Sequence, residues 1–222
     1  KIRGEVENIF TNEHDSVQLV RLMAASNSLL AMHRLLEVSK NADNPEGDFI
    51  EFGGYLSPMF LQIVGVLSEA LDAIKNLKSS WFENIENKYN SLTGEDVKLP
   101  SARRMKLLSY AKDDSCERVL IKGIRDKIGF HWAHNEITKA LESLDGNDTE
   151  VSNVVDADEF AFVYYSLAEQ LLESAGFPKD ENEKEKTVLQ IRDVMLEFLH
   201  VTSHYLPAYF TLVGCSRESV GN

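Results

Sequence analysis

Cysteine is scarce in this chain. Cys116 and Cys215 are the only two in 222 residues, far apart and without Cys-x-x-Cys spacing, which excludes a cysteine zinc site and argues against a disulfide-built fold. Both are expected to be buried or idle thiols. No long Pro/Gly/Ser stretch divides the chain, so a single helical domain over residues 1–222 is expected, with an irregular arm at 1–12. No apolar run approaches the roughly eighteen residues that cross a bilayer. A charged-then-apolar leader is also missing, and the expectation is a soluble cytoplasmic protein with no membrane partner. Lys1 in place of Met leads us to expect a longer or processed chain. Positive charge is in deficit as well. With 23 Lys and Arg against 36 Asp and Glu, the formal charge of −13 opposes non-specific attraction to nucleic acid over the whole surface. Internal repeats, Gly-rich phosphate loops, Ser/His/Asp sets and Cys/His pairings are all missing.

What remains is helical patterning. The leucines from Leu19 to Leu36 recur at helical spacing and predict a helix over 14–40, closed by Asn41 to Gly47. Ser57 followed by Pro58 reads as a cap beside a first-turn proline, opening a second helix to about Asn87. Leu99-Pro100-Ser101 repeats that signal, and Asp114 with Glu117 restarts a helix that reaches Ile128. A short helix is predicted over 134–144. Asp156 with Glu159 caps another that stops before Gly176, and Asn182 with Glu185 caps a last one running to Leu206, before Pro207. No strand-like alternation of useful length competes. The fold class expected is therefore all-α, a bundle of about six helices joined by short polar turns.

Charge is unevenly spread along this pattern. Residues 101–131 carry eight Lys and Arg against four Asp and Glu, whereas 142–200 carry four against fifteen. The basic segment contains Arg125-Asp126-Lys127-Ile128-Gly129-Phe130-His131. In an unbroken helix, residues six apart lie about 240° around the axis, so Arg125 and His131 converge only if the helix ends between them. Gly129 is suited to that ending as a left-handed C′ residue. Arg118, Lys122 and Arg125 fall on one helical face, opposite Leu120, Ile121, Ile124 and Ile128, and form a basic stripe leading to the turn. These residue types suit RNA cleavage through attack by the 2′-hydroxyl. Histidine exchanges protons near neutrality, and arginine presents a fixed fork of donors to phosphate oxygens. Asp126 is suited to orienting either group. The chemistry calls for no cofactor and no metal.

The run Ile124-Arg125-Asp126-Lys127-Ile128-Gly129-Phe130-His131, with a polar residue directly after the Arg and five residues between Arg and His, resembles the signature of the HEPN superfamily (higher eukaryotes and prokaryotes nucleotide-binding). It is similar to a form seen in uncharacterised bacterial members, with Asp126 standing where Asn is common. The resemblance implies a helical bundle that forms a homodimer with two copies of the motif facing each other. In catalytic members it implies metal-independent endoribonuclease activity, often in toxin–antitoxin or antiphage systems, while other members are non-catalytic. Carried onto this chain, it makes Arg125, Asp126 and His131 the expected catalytic residues. Arg118, Lys122 and His134 are the expected contacts to RNA or a nucleotide. Phe130 and Trp132 suit either base stacking or the core.

Two other readings stand beside this one. A non-catalytic helical interaction or dimerisation module fits the acidic balance. Asp193, Glu197, His200 and His204 recur at i, i+4, i+7 and i+11 within about a 60° sector, a spacing that could bind a metal. With Val194, Met195, Phe198, Val201 and Tyr205 opposite them, they read more simply as the solvated face of an amphipathic helix.

Overall fold

A computed structural model describes residues 2–3, 13–40, 48–93, 98–126, 153–155, 163–165, 180–214 and 216–217. Among them are five helices: α1 (Glu13–Lys40), α2 (Asp48–Thr93), α3 (Ser101–Tyr110), α4 (Cys116–Ile124) and α5 (Glu181–Leu212). Four short strands pair antiparallel in twos. β1 (Ile2–Arg3) pairs with β4 (Ser216–Arg217), and β2 (Asn153–Val155) with β3 (Val163–Tyr165). Helices thus carry the fold.

The chain divides into two compact units. One comprises Lys1–Leu30, Val66–Val119 and Arg192–Asn222, and the other Ala31–Gly65 and Leu120–Ile191. In the first, Leu19, Leu22, Ala25 and Leu29 form the buried stripe of α1, and Leu67, Leu71, Ile74, Leu77, Phe82 and Ile85 that of α2. Val194, Met195, Phe198, Val201 and Tyr205 form the stripe of α5. These spacings are helical, and each buried Leu or Phe contributes about 1.5–3 kcal/mol. The Phe82 and Tyr205 rings meet edge-on at 5.3 Å, and Trp81 lies 5.5 Å from Tyr209. In the second unit the buried positions include Ile63 and Val64 of α2, Ile121 and Ile124 of α4, and Thr187 and Ile191 of α5.

Polar side chains tie α2 to its neighbours in the first unit. Arg21 of α1 reaches Glu69 at 2.6 Å. Arg104 of α3 is buried, its Nε 3.0 Å from Glu86 and its Nη1 3.4 Å from Glu83. The Tyr205 hydroxyl of α5 donates to the same Glu86 carboxylate. Burial, then that hydrogen bond, pushes the Tyr205 phenol well above its ordinary range.

Several boundaries differ from those predicted. The second helix begins at Asp48 rather than Ser57 and continues past Asn87 to Thr93. The last helix is capped by Asp180, whose carboxylate accepts the Glu183 N–H at 3.0 Å, and it runs through Pro207 to Leu212. A proline removes only its own N–H from the ladder, a local cost that a long packed helix can carry. The cap of α4 falls on Ser115, whose hydroxyl accepts the Arg118 N–H at 3.1 Å, rather than on Asp114. β3 lies inside the helix predicted to start at Asp156, because Val154, Val155, Val163, Tyr164 and Tyr165 are β-branched or aromatic. Two residues of the arm expected to be irregular belong to β1. The helix predicted over 134–144 lies outside the described residues.

α2 is broken at Lys78, which takes φ 63 and ψ 165. That region is nearly reserved for glycine and costs a lysine about 1–3 kcal/mol. Directly after it the Ser79 hydroxyl donates to Glu83. Lys78→Gly is therefore expected to raise the unfolding free energy by about 1 kcal/mol in urea denaturation, net of the entropy glycine adds to the unfolded chain. A glycine variant less stable than the parent would show that Lys78 carries no strain.

Candidate functional site

The helix expected to carry the motif is built from its cap. The Ser115 hydroxyl donates to the Tyr110 carbonyl at 2.8 Å and also accepts from the Arg118 amide, so one side chain joins the end of α3 to the start of α4. Three residues on, Arg118 turns inward and is 8% exposed. Its guanidinium pairs with Asp72 of α2, and its Nε lies 3.5 Å from Asp113. Asp113 is also held by Lys75 at 2.5 Å. The hydrogen bond from Lys75, with the nearby charges of Lys75 and Arg118, keeps the Asp113 carboxyl below its usual range. Arg118 therefore does not line an open basic stripe. It is an internal cation tying α4 to α2.

Beyond Arg118, Lys122 is exposed, while Ile121 and Ile124 are buried on the opposite side, as the amphipathic pattern predicts. α4 ends at Ile124. Arg125 and Asp126 form a wider i→i+5 turn in which Arg125 is half-buried and Asp126 exposed. Helical geometry changes where the heptapeptide begins. Gly129, Phe130, His131, Trp132 and His134 lie outside the described residues, so Arg125 and Asp126 are placed while their relation to His131 is not. Cys116, at the first turn of α4, is exposed. The hydrogen bond with Glu117, followed by desolvation, pushes its thiol up, which suits the idle role expected of it.

The second cluster lies between α3 and α5. Asp193 and His204 are exposed and His200 is half-buried, but Glu197 is only 9% exposed and is not part of a solvated face. Its Oε1 accepts from Arg103 Nη1 at 3.4 Å and from Lys106 Nζ at 3.2 Å. Glu197 Oε2 is buried and meets no hydrogen-bond donor among the described residues. The His200 and His204 rings are 4.6 Å apart. Desolvation, then the charges of Arg103 and His204, lowers the His200 pKa from its ordinary value. Lys106 is raised, first by its hydrogen bond with Tyr110 and then by that with Glu197. Among the described residues no group of three or more His, Cys, Asp or Glu is arranged to hold a metal ion. The linear spacing on α5 could not reveal this cluster, because its organising cations come from α3, over ninety residues away in sequence.

No family model, curated protein or solved structure matches this chain. The site residues accordingly rest on chemistry and geometry. Among the described residues no helix is long and apolar enough to cross a membrane.

The position of Arg118 separates structural from functional cations on α4. Arg118→Ala leaves Asp72 without its buried partner and is expected to cost about 2 kcal/mol of stability, discounted for the partial exposure of that carboxylate. Lys122→Ala, at an exposed position, should stay within about 0.5 kcal/mol of the parent. Equal stability of the two variants in chemical denaturation would refute the structural role of Arg118.

Proposed function

We propose that this protein is a HEPN-like, metal-independent endoribonuclease that acts as a homodimer, of the kind found in toxin–antitoxin or antiphage systems. The observation that supports it is the change from α-helix to a wider turn at Arg125–Asp126, at the start of the motif. In this reading the 2′-hydroxyl of the substrate attacks the adjacent phosphorus and its proton passes to a base. The P–O5′ bond breaks and the departing oxygen takes a proton. His131 serves in this proton transfer, Arg125 neutralises charge on the phosphoryl oxygens, and Asp126 orients them. Lys122 and His134 contact the RNA. Arg118 supports α4 from within.

A second reading, a non-catalytic helical module that binds a nucleotide or partner, is favoured by the formal charge of −13 and by the burial of Arg118. One experiment separates the two. Purified protein incubated with RNA in EDTA is expected to yield 2′,3′-cyclic phosphate ends. His131→Ala and Arg125→Ala should each slow cleavage by about 100-fold or more. Undiminished cleavage by His131→Ala would remove that residue from the mechanism. Absence of cleavage by the parent, together with nucleotide binding that depends on Arg125, would select the non-catalytic reading.

A further inference from the structure

We propose that Arg103 and Lys106 of α3, with His200 and His204 of α5 and organised by Glu197, form a binding site for a phosphate group. None of residues 125–131 belongs to it. Arg103 and Lys106 lie at i and i+3 on the exposed face of α3, with Arg104 and Leu107 buried. Both converge on the same oxygen of Glu197, yet their own side chains remain about half exposed, at 50% and 49%. A buried carboxylate is costly to leave ionised without partners, so Glu197 requires these cations beside it and thereby fixes them. It is a positioning residue.

Neither cation is exhausted by that contact. Guanidinium has five N–H donors and ammonium three; Glu197 takes one from each, and Tyr110 engages Lys106 further. Two cations on one carboxylate leave a local surplus of positive charge in a protein that is strongly acidic overall. One turn further along α5, His200 lies within reach of the Arg103 charge and faces Glu197 and His204 on its own helix. An imidazole whose protonated form is opposed by neighbouring cations gains a proton when an anion neutralises them.

The unpartnered Glu197 Oε2 narrows the ligand. It belongs to the carboxylate that holds both cations, and a buried acceptor without a donor fits a ligand that brings a hydroxyl. Hydrogen phosphate supplies acceptor oxygens for Arg103 and Lys106 and one O–H for Glu197. Sulfate at neutral pH has no such proton. A terminal phosphate monoester suits this arrangement, whereas an internal phosphodiester, like sulfate, has no O–H to offer Glu197 Oε2.

The test follows the ring signals of His200 and His204 by NMR in the full-length chain, assigned through His200→Gln and His204→Gln. Inorganic phosphate is compared with chloride and sulfate at equal ionic strength, and the uncleavable deoxydinucleotide dTpdA forms a separate arm. Phosphate is expected to raise the His200 titration midpoint by about one unit relative to chloride, with sulfate doing less. A rise with phosphate that dTpdA does not match assigns a terminal phosphate, and an equal rise with dTpdA would refute the hydroxyl contact given to Glu197 Oε2. The rise should vanish in Arg103→Gln/Lys106→Gln and persist in Lys106→Arg, with thermal melts confirming that both variants are folded. His200 midpoints that are equal in all these solutions would overturn the proposal, as would a rise that survives in the double variant. dTpdA has no 2′-hydroxyl, so this result does not depend on ribonuclease activity.

Discussion

The guanidinium of Arg104 lies against Glu83 and Glu86 of α2, and Tyr205 of α5 closes on Glu86 from another side. Three helices therefore meet around one buried charge. Removing Arg104 or Glu86 leaves the other inside without its charged partner, a defect of about 3–5 kcal/mol for a buried pair. Because Arg104 must point inward, its neighbours on the short helix α3 have fixed directions. Leu107 enters the core, while Arg103 and Lys106 face outward to meet Glu197. The aromatic contact between Phe82 and Tyr205 packs beside the same point, so apolar burial and ion pairing constrain the same rotation.

Cations in this acidic chain have two different destinations. Arg104 and Arg118 are internal ties, each joining a shorter helix to α2. Lys122 is exposed, and Arg103 and Lys106 remain about half exposed. The basic segment is consequently less available to a polyanion than its sequence count implies. This matters for the heptapeptide, where Lys122 is the exposed cation preceding the turn at Arg125.

Helical class was legible because Leu19 to Leu29 and Val194 to Tyr205 obey a 3.6-residue repeat that burial alone enforces. Leu99-Pro100-Ser101 was legible too, since proline restricts its neighbours locally. Ser57-Pro58 and Pro207 misled for the same reason. They report a local preference, while α2 and α5 are set by packing over many turns. The inward turn of Arg118 was not readable, because Asp72 lies 46 residues away and no local pattern links them. Glu197 was read as solvated because its cations also come from a distant helix. Within the heptapeptide the helix was expected to reach Ile128 and end at Gly129; regular α-helix instead stops at Ile124 and gives way to the wider turn at Arg125–Asp126, while Gly129 lies outside the described residues.

Pro207 also fixes an order of events. It cannot donate to the Ser203 carbonyl, so the backbone ladder of α5 has a gap one turn before the helix ends. Past that gap, Tyr209 rests on Trp81 at 5.5 Å. A helix end joined by fewer backbone bonds opens at lower free energy than the core behind it. With Trp132 replaced by phenylalanine, emission from Trp81 would then register the peeling of this last turn ahead of global unfolding, so fluorescence and backbone circular dichroism should trace different transitions in the same molecule.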